Sequence, residues 1–296
     1  MRRLKKRVLN KKKLKIGLIT YRGNPSSGGQ GIYINYLSRS LSDLGHEVTV
    51  ISGPPYPEIR KDIKLVKIPS LDLFSKKNKF FDVKFSKLLS LNNLKEWISA
   101  NTGGFPEPHT FGPRLKKFIE ENADHFDVIH DNQSLCKELI SLQQKLPLVI
   151  TIHHPITKDL KFQLKSTNDF FLKLLINRWH SFIPKQIKVA KKLKKIVVPS
   201  ESSGKDVVKD FSLKDASIEV VHNGIDLSFF YPSEKPYEEY KILSIASADV
   251  PMKGLDFMIK AFPKIKKNYP KAKLSVLGKI REEGHTERLI NSLDLK

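Results

Sequence analysis

The stretch KIGLITYRGNPSSGGQGIYINYLSRSLSDLGHEVTVIS, residues 15–52, decides the fold. It opens on a short apolar run, KIGLIT (15–20), and closes on another, EVTVIS (47–52). Residues 32–44 between them carry a helical pattern. The same alternation continues downstream. FDVIH (126–130), PLVITIH (147–153), KIVVP (195–199) and IEVVH (218–222) read as strands, and 111–122, 134–144, 170–193 and 202–211 as helices, the last with Ser203 and Asp206 in capping-box spacing. Most of these strands are continuously apolar, as strands covered on both faces must be. Strand–helix alternation of this kind means an α/β chain with a doubly wound parallel sheet.

The glycines Gly28, Gly29 and Gly31 raise a narrower question. A dinucleotide fingerprint sets its first glycine directly after the strand and repeats as G-x-G-x-x-G. Here the strand ends some eight residues before Gly28, and Ile34 fills the slot of the last glycine. A P-loop fails too, because no Lys-Ser or Lys-Thr follows. What remains is the shared physics: glycines let backbone amides approach an anion, and a helix beginning at Ile32 points its positive end the same way. A flexible turn without a ligand satisfies the same letters.

Composition bounds the rest. With 296 residues and 40% hydrophobic content, the chain is long enough for two domains with buried cores. No apolar run reaches the roughly 18 residues that a membrane-spanning helix needs. The opening MRRLKKRVLNKKKLK has no apolar segment of about 7–15 residues ahead of a cleavage site, so it does not read as a secretory signal. The single cysteine, Cys136, excludes an internal disulfide framework and fits a reducing cytoplasm. The formal charge of +22 favours polyanionic partners: nucleic acid, an anionic membrane face or phosphorylated substrates. Solvated lysine-rich surfaces are the plainer source of that excess. No motif organises the charge for reading bases, so no specific nucleic-acid partner is expected.

Residues 1–14 form a basic arm, 15–222 a first α/β domain, 223–238 a turn-rich linker and 239–296 a second α/β domain. In the second domain, strands 240–246 and 273–278 alternate with helices 254–267 and about 285–293. Two strand–helix pairs cannot cover both faces of a parallel sheet, and the last strand would leave an apolar edge. This domain is therefore expected to be incomplete, the remainder lying in a missing C-terminal portion or a partner chain.

GGQGIYINYLSRSLSDLGHEVTVISG, FDVIHDNQSL, PLVITIHHP, IVVPSESSGKDVVKDF, VHNGIDLSFFYP and KGLDFMIKAF occur in the order found in family 4 of the retaining glycosyltransferases, which this chain resembles over about residues 15–267. The resemblance implies a GT-B fold of two Rossmann-like domains, the first facing the acceptor and the second binding a nucleotide-diphosphate sugar. It implies sugar transfer to a glycan or lipid-linked acceptor. In such chemistry the enzyme must stabilise a departing diphosphate. The chain has no Asp-x-Asp metal motif, so neither metal nor cofactor is expected. By resemblance Gly28, Gly29, Gly31 and Lys253 surround the donor phosphates and His153 is the active-site histidine contacting the donor sugar, while His154 has no counterpart. His130 and Asp131 either line the acceptor cleft or cap a strand. Asn223 and Asp226 shape the hinge.

Two departures stand out: Ala248 occupies the position of an arginine that helps grip the diphosphate, and no counterpart of the paired glutamates Glu-x7-Glu precedes Lys296. The chain alone is therefore expected to bind donor poorly, and a noncatalytic or partner-dependent subunit stays open beside the enzyme. Segment 170–195, with Phe171, Leu174, Leu175, Trp179, Phe182 and Ile183 ahead of a lysine cluster, reads either as a helix lying on an anionic bilayer, on the cytoplasmic face, or as a core helix with a solvated basic end.

Overall fold

The computed structural model describes residues 12–25, 28–213, 218–234, 238–245 and 253–295. The chain divides into two compact units, residues 1–225 and 226–296. The first contains β1 (Lys15–Thr20), α1 (Gln30–Asp43), β2 (Glu47–Ser52), β3 (Lys64–Lys67), α2 (Phe85–Leu88), α3 (Leu91–Asn101), α4 (Glu107–Glu121), β4 (Val128–Asn132) and α5 (Leu139–Leu142). It continues with β5 (Leu148–Thr151), α6 (Thr157–Lys165), α7 (Phe170–Trp179), α8 (Ile183–Ala190), β6 (Ile196–Val198), α9 (Glu201–Phe211) and β7 (Ile218–Val220).

The strands form one seven-stranded sheet in the order β3-β2-β1-β4-β5-β6-β7, with every pairing parallel. This is the doubly wound arrangement expected from the alternation. Leu18 pairs in register with Val50, and Ile19 with Ile51, so successive residues face opposite sides. Both sides are apolar because both are covered. Leu18 and Val50 pack with Ile34, Leu37 and Leu41 of α1, while Ile19, Ile51, Ile129 and Ile150 pack with Phe111, Leu115 and Ile119 of α4.

Several expected boundaries move. The segment 170–193 is two helices, α7 and α8, because Pro184 in the first turn of α8 has no amide proton to continue α7. Helix α9 begins one residue earlier than expected and is capped by Ser200, whose Oγ accepts from the Ser203 amide at 3.1 Å, rather than by Ser203 with Asp206. Only Leu139–Leu142 of the expected helix 134–144 is helical, since Asp131 ties Ser134 and Leu135 into a turn. Strands β4 and β5 are displaced relative to their sequence readings, β4 running on through Asn132 and β5 stopping at Thr151. Strand β3 and helices α2, α3 and α6 carry no clear period in the sequence.

The second unit contains β8 (Lys241–Ile245), α10 (Leu255–Asn268), β9 (Lys273–Leu277) and α11 (His285–Ser292). The two strands pair in parallel, and Leu255 and Ile259 pack with Val276, Leu289 and Ile290. Among the described residues β8 and β9 pair only with each other, and Leu243, Ile245 and Leu277 are exposed. Most of the basic arm (residues 1–11), part of the linker (235–237), and Ala246 and Ala248 lie outside the described residues.

Candidate active site

β1 leads outward to β2 and β4 leads the other way to β5, so the strand order reverses between β1 and β4. Open parallel sheets bind ligands outside the carboxyl ends of the strands at such a point. The loops that follow β1, β4 and β5 carry the polar groups described below.

After β1, Gly28 and Gly29 adopt positive φ, 83° and 74°, with open space where a Cβ would stand. Gly29 is the N-cap of α1, which therefore begins at Gln30, two residues before the expected start. Gly31 is a glycine for another reason. A Cβ there would lie 2.3 Å from the carbonyl oxygens of both Gly23 and Asn24, so the loop backbone rests directly on the first turn of α1. The first-turn amides of a helix have no partner within it and carry the positive end of its dipole. A cavity of about 320 Å³ beside them is lined by Tyr21, Arg22, Asn24, Gly28 and Gln30. The Arg22 guanidinium lies over the Phe105 ring at 5.8 Å and within 3.2 Å of Glu107.

Two residues past β5, His153 is tied to the β4 loop. Its amide donates to Gln133 Oε1 at 2.7 Å, its Nε2 lies 2.7 Å from Asn132 Oδ1, and Gln133 Nε2 donates to the carbonyl of His154 at 2.9 Å. Tyr33 of α1 meets the imidazole edge to face, with centroids 4.7 Å apart. The Tyr33 hydroxyl is 3.2 Å from Thr151 Oγ1, which is 2.7 Å from His130 Nε2. Burial pushes both imidazoles down to about 4, and a neighbouring histidine acts the same way on each: His153 on His130, and His154 on His153. Both rings are therefore neutral near pH 7. Neutral imidazoles offer hydrogen bonds to hydroxyl groups but no charge for an anion, which leaves the helix end and nearby cations as the groups suited to one.

The structure brings together Gly28, Gly29, Gly31, His130 and His153. Asp131 shares β4 with His130 but is fully buried. Its carboxylate accepts from Ser134 N, Ser134 Oγ and Leu135 N, which holds a turn where Gln133 and Leu135 have positive φ. Burial pushes it up to about 6. His154 is exposed and lies 3.2 Å from Asp159. Asp226 accepts from Ser228 N at 3.0 Å in a local turn just past the division between the units, and Asn223 is exposed. Lys253 is exposed and precedes Gly254, the N-cap of α10, in the second unit. Sequence reasoning missed Arg22, Tyr33, Asn132, Gln133 and Thr151. Only their nearness to the glycines and histidines in the chain hinted at them.

The Glycosyltransferase Family 4 model matches residues 27–229. The MMP α-(1→4)-mannosyltransferase of Mycolicibacterium hassiacum is 36% identical over 284 residues, covering 95% of this chain and 68% of that protein. The phosphatidyl-myo-inositol mannosyltransferase of Mycolicibacterium smegmatis is 24% identical over 288 residues, covering 91% and 60%. Among solved structures, Anabaena HepE in complex with UDP superposes with a TM-score of 0.55 at 13% identity, covering 95% of this chain and 67% of that one. The chain thus spans between 60% and 68% of the length of these proteins. A doubly wound parallel sheet with such likenesses defines the GT-B class of α/β proteins. Within that class, the chain belongs to glycosyltransferase family 4.

Proposed function

We propose that this protein transfers mannose, or a closely related hexose, from a nucleotide-diphosphate sugar to a glycan or lipid-linked acceptor, with retention of anomeric configuration and without a metal. The observation that carries the reading is the meeting of a glycine-capped helix N-terminus with the neutral His153 at the β1/β4 switch point, in a chain 36% identical to a mannosyltransferase. The α1 amides act on the diphosphate as negative charge develops on the leaving oxygen. His153 serves the sugar hydroxyls. Arg22, unforeseen in the sequence, faces the same cavity as Gly28 and offers a guanidinium to an anionic group there.

The test is transfer of labelled mannose by the protein purified from its own cells, with excess chelator present and the product anomer read by NMR. The expected product keeps the donor's configuration, and chelator leaves the rate unchanged. An inverted product or a chelator-abolished rate refutes the mechanism. Absence of transfer from every nucleotide sugar refutes the function.

Peripheral contact with an anionic bilayer on the cytoplasmic side is proposed alongside, on a separate observation. Helix α7 buries none of its residues, although its sequence FFLKLLINRW is mostly apolar. Phe170 is 67% exposed, Phe171 77% and Leu175 56%. Such a face suits an interfacial helix, with Lys173 and Lys165 at the end of α6 offering ammonium groups to lipid phosphates, while Lys158 and Lys161 of α6 pair with Asp206 and Asp210.

A further inference from the structure

The proton inventory around Asn132 determines the state of His153. Asn132 is completely buried on β4, and its side-chain amide presents two different edges. One edge meets His153 Nε2 at 2.7 Å. The other meets the carbonyl oxygen of Gln30 and Thr20 Oγ1, each at 3.5 Å. A backbone carbonyl can only accept. Thr20 Oγ1 has already given its proton to the Arg22 carbonyl at 2.7 Å, so it too presents lone pairs. Two acceptors on one side require the NH2 edge of Asn132 there, which directs the amide oxygen at His153. An amide oxygen cannot donate, so the shared proton belongs to His153 Nε2.

We propose that Asn132 is a positioning residue that fixes His153 as the neutral Nε2–H tautomer, and thereby makes its Nδ1 lone pair the acceptor for a hydroxyl hydrogen of the sugar substrate. Nδ1 has no hydrogen-bond partner among the described residues and is not sealed from solvent. The groups facing the ring are Tyr33 from α1, Asn132 and His130 from β4, and His154 beside it. None of them carries a negative charge near pH 7 that would draw a second proton onto the ring. Edge-to-face contact with Tyr33 and the amide bond to Gln133 hold the ring plane while Asn132 sets its proton. The identity of the hydroxyl as a sugar's rests on the transferase reading. The tautomer does not.

The experiment is a two-bond 1H–15N correlation spectrum of the labelled full chain, unliganded, from pH 5 to 8, with His153→Gln used for assignment. The expected wild-type spectrum shows His153 protonated at Nε2 only, without titration in that range. Asn132→Ala should populate both tautomers. Asn132→Asp, nearly identical in shape, sets a carboxylate against the ring nitrogen and should raise the His153 midpoint by about 1–3 pH units. In transfer assays Asn132→Asp should move the acid limb of the pH–rate profile upward by the same amount, because an imidazolium has no lone pair to offer. A purely structural role would lower the rate equally at all pH values. An Nδ1–H tautomer in the wild type, ordinary titration of His153, or an Asn132→Ala spectrum identical to wild type would overturn the proposal. The wild-type spectrum needs no variant to fold. An Nε2–H tautomer in a protein that turns over no nucleotide sugar would uphold the positioning and refute the substrate separately.

Discussion

Replacing Gly31 with alanine tests whether the loop after β1 is held rigidly against α1. The added Cβ would stand 2.3 Å from two backbone carbonyl oxygens and 2.7 Å from the Asn24 carbonyl carbon. Carbon–oxygen contacts settle at roughly 3.3–3.6 Å, so the loop must retreat by about 1 Å. No side-chain rotamer can absorb the movement, because the obstructing atoms are backbone. The same loop donates the Gly23 amide to the Pro55 carbonyl at 2.7 Å, so its retreat strains that bond as well. Overpacking of this kind costs about 1–3 kcal/mol, or about 2–12 °C in the melting of a unit of this size. Gly29→Ala is disfavoured differently, by about 1–2 kcal/mol for a left-handed N-cap with open space around it. Asparagine tolerates that backbone, so Gly29→Asn should be milder than Gly29→Ala, whereas Gly31→Asn should be no milder than Gly31→Ala. Thermal unfolding of the four variants, with transfer rates measured beside it, is the assay. The reasoning fails if Gly31→Ala melts and turns over like wild type, or if Gly29→Asn is worse than Gly29→Ala.

Other outcomes follow from buried groups. Burial pushes Glu107 up to about 7, against the pull of Arg22, which lies within ion-pair distance but is not aligned for a hydrogen bond. The folded state therefore holds this proton more tightly than the unfolded chain, and stability falls as pH rises from about 4.5 through 7, by on the order of 3 kcal/mol. Glu107→Gln should flatten that slope in denaturant titrations, and an unchanged slope would count against it. Arg114 reaches Glu96 at 2.7 Å, and the Glu96 carboxylate is 2% exposed and also accepts from the Leu71 amide. Arg114→Ala should cost about 3–5 kcal/mol by chemical denaturation, and Arg114→Met with Glu96→Gln distinctly less. Cys136 is fully buried and burial pushes its thiol up, so a thiol reagent should label it only at the rate of unfolding. Changing Phe170, Phe171 and Leu175 together to serine should abolish co-sedimentation with phosphatidylglycerol vesicles while moving stability by less than about 1 kcal/mol, because these side chains are exposed.

The doubly wound sheet was legible from local sequence alone. Runs such as KIGLIT, EVTVIS and PLVITIH must be covered on both faces, and one helix between each pair leaves parallel pairing as the economical solution. The glycines and His153 stood out in the sequence as candidates, since their types and order carry a family's pattern, and the structure gathers them around the start of α1 and the end of β5. Their reasons were not legible there. Gly29 is explained by its own φ, but Gly31 is explained by a loop that passes 2.3 Å from it, which no local period records. Asp131 reads as either a cleft residue or a strand cap, and it is a buried anchor of the turn that ends β4; which of the two it would be depended on where Ser134 and Leu135 fall once β4 ends. The break between α7 and α8 was written in Pro184, yet the exposure of α7 and the burial of Ile183 and Val189 on α8 depend on which helix reaches the sheet. Asn132 carries no sequence signal of its own. Its role arises where β1, α1, β4 and the end of β5 meet, and the proton on His153 is set by acceptors 102 and 112 residues away from Asn132 along the chain. Local sequence determines which residues prefer strand, helix or turn. Only tertiary packing decides which donors and acceptors face one another, because a hydrogen bond depends on separation in space.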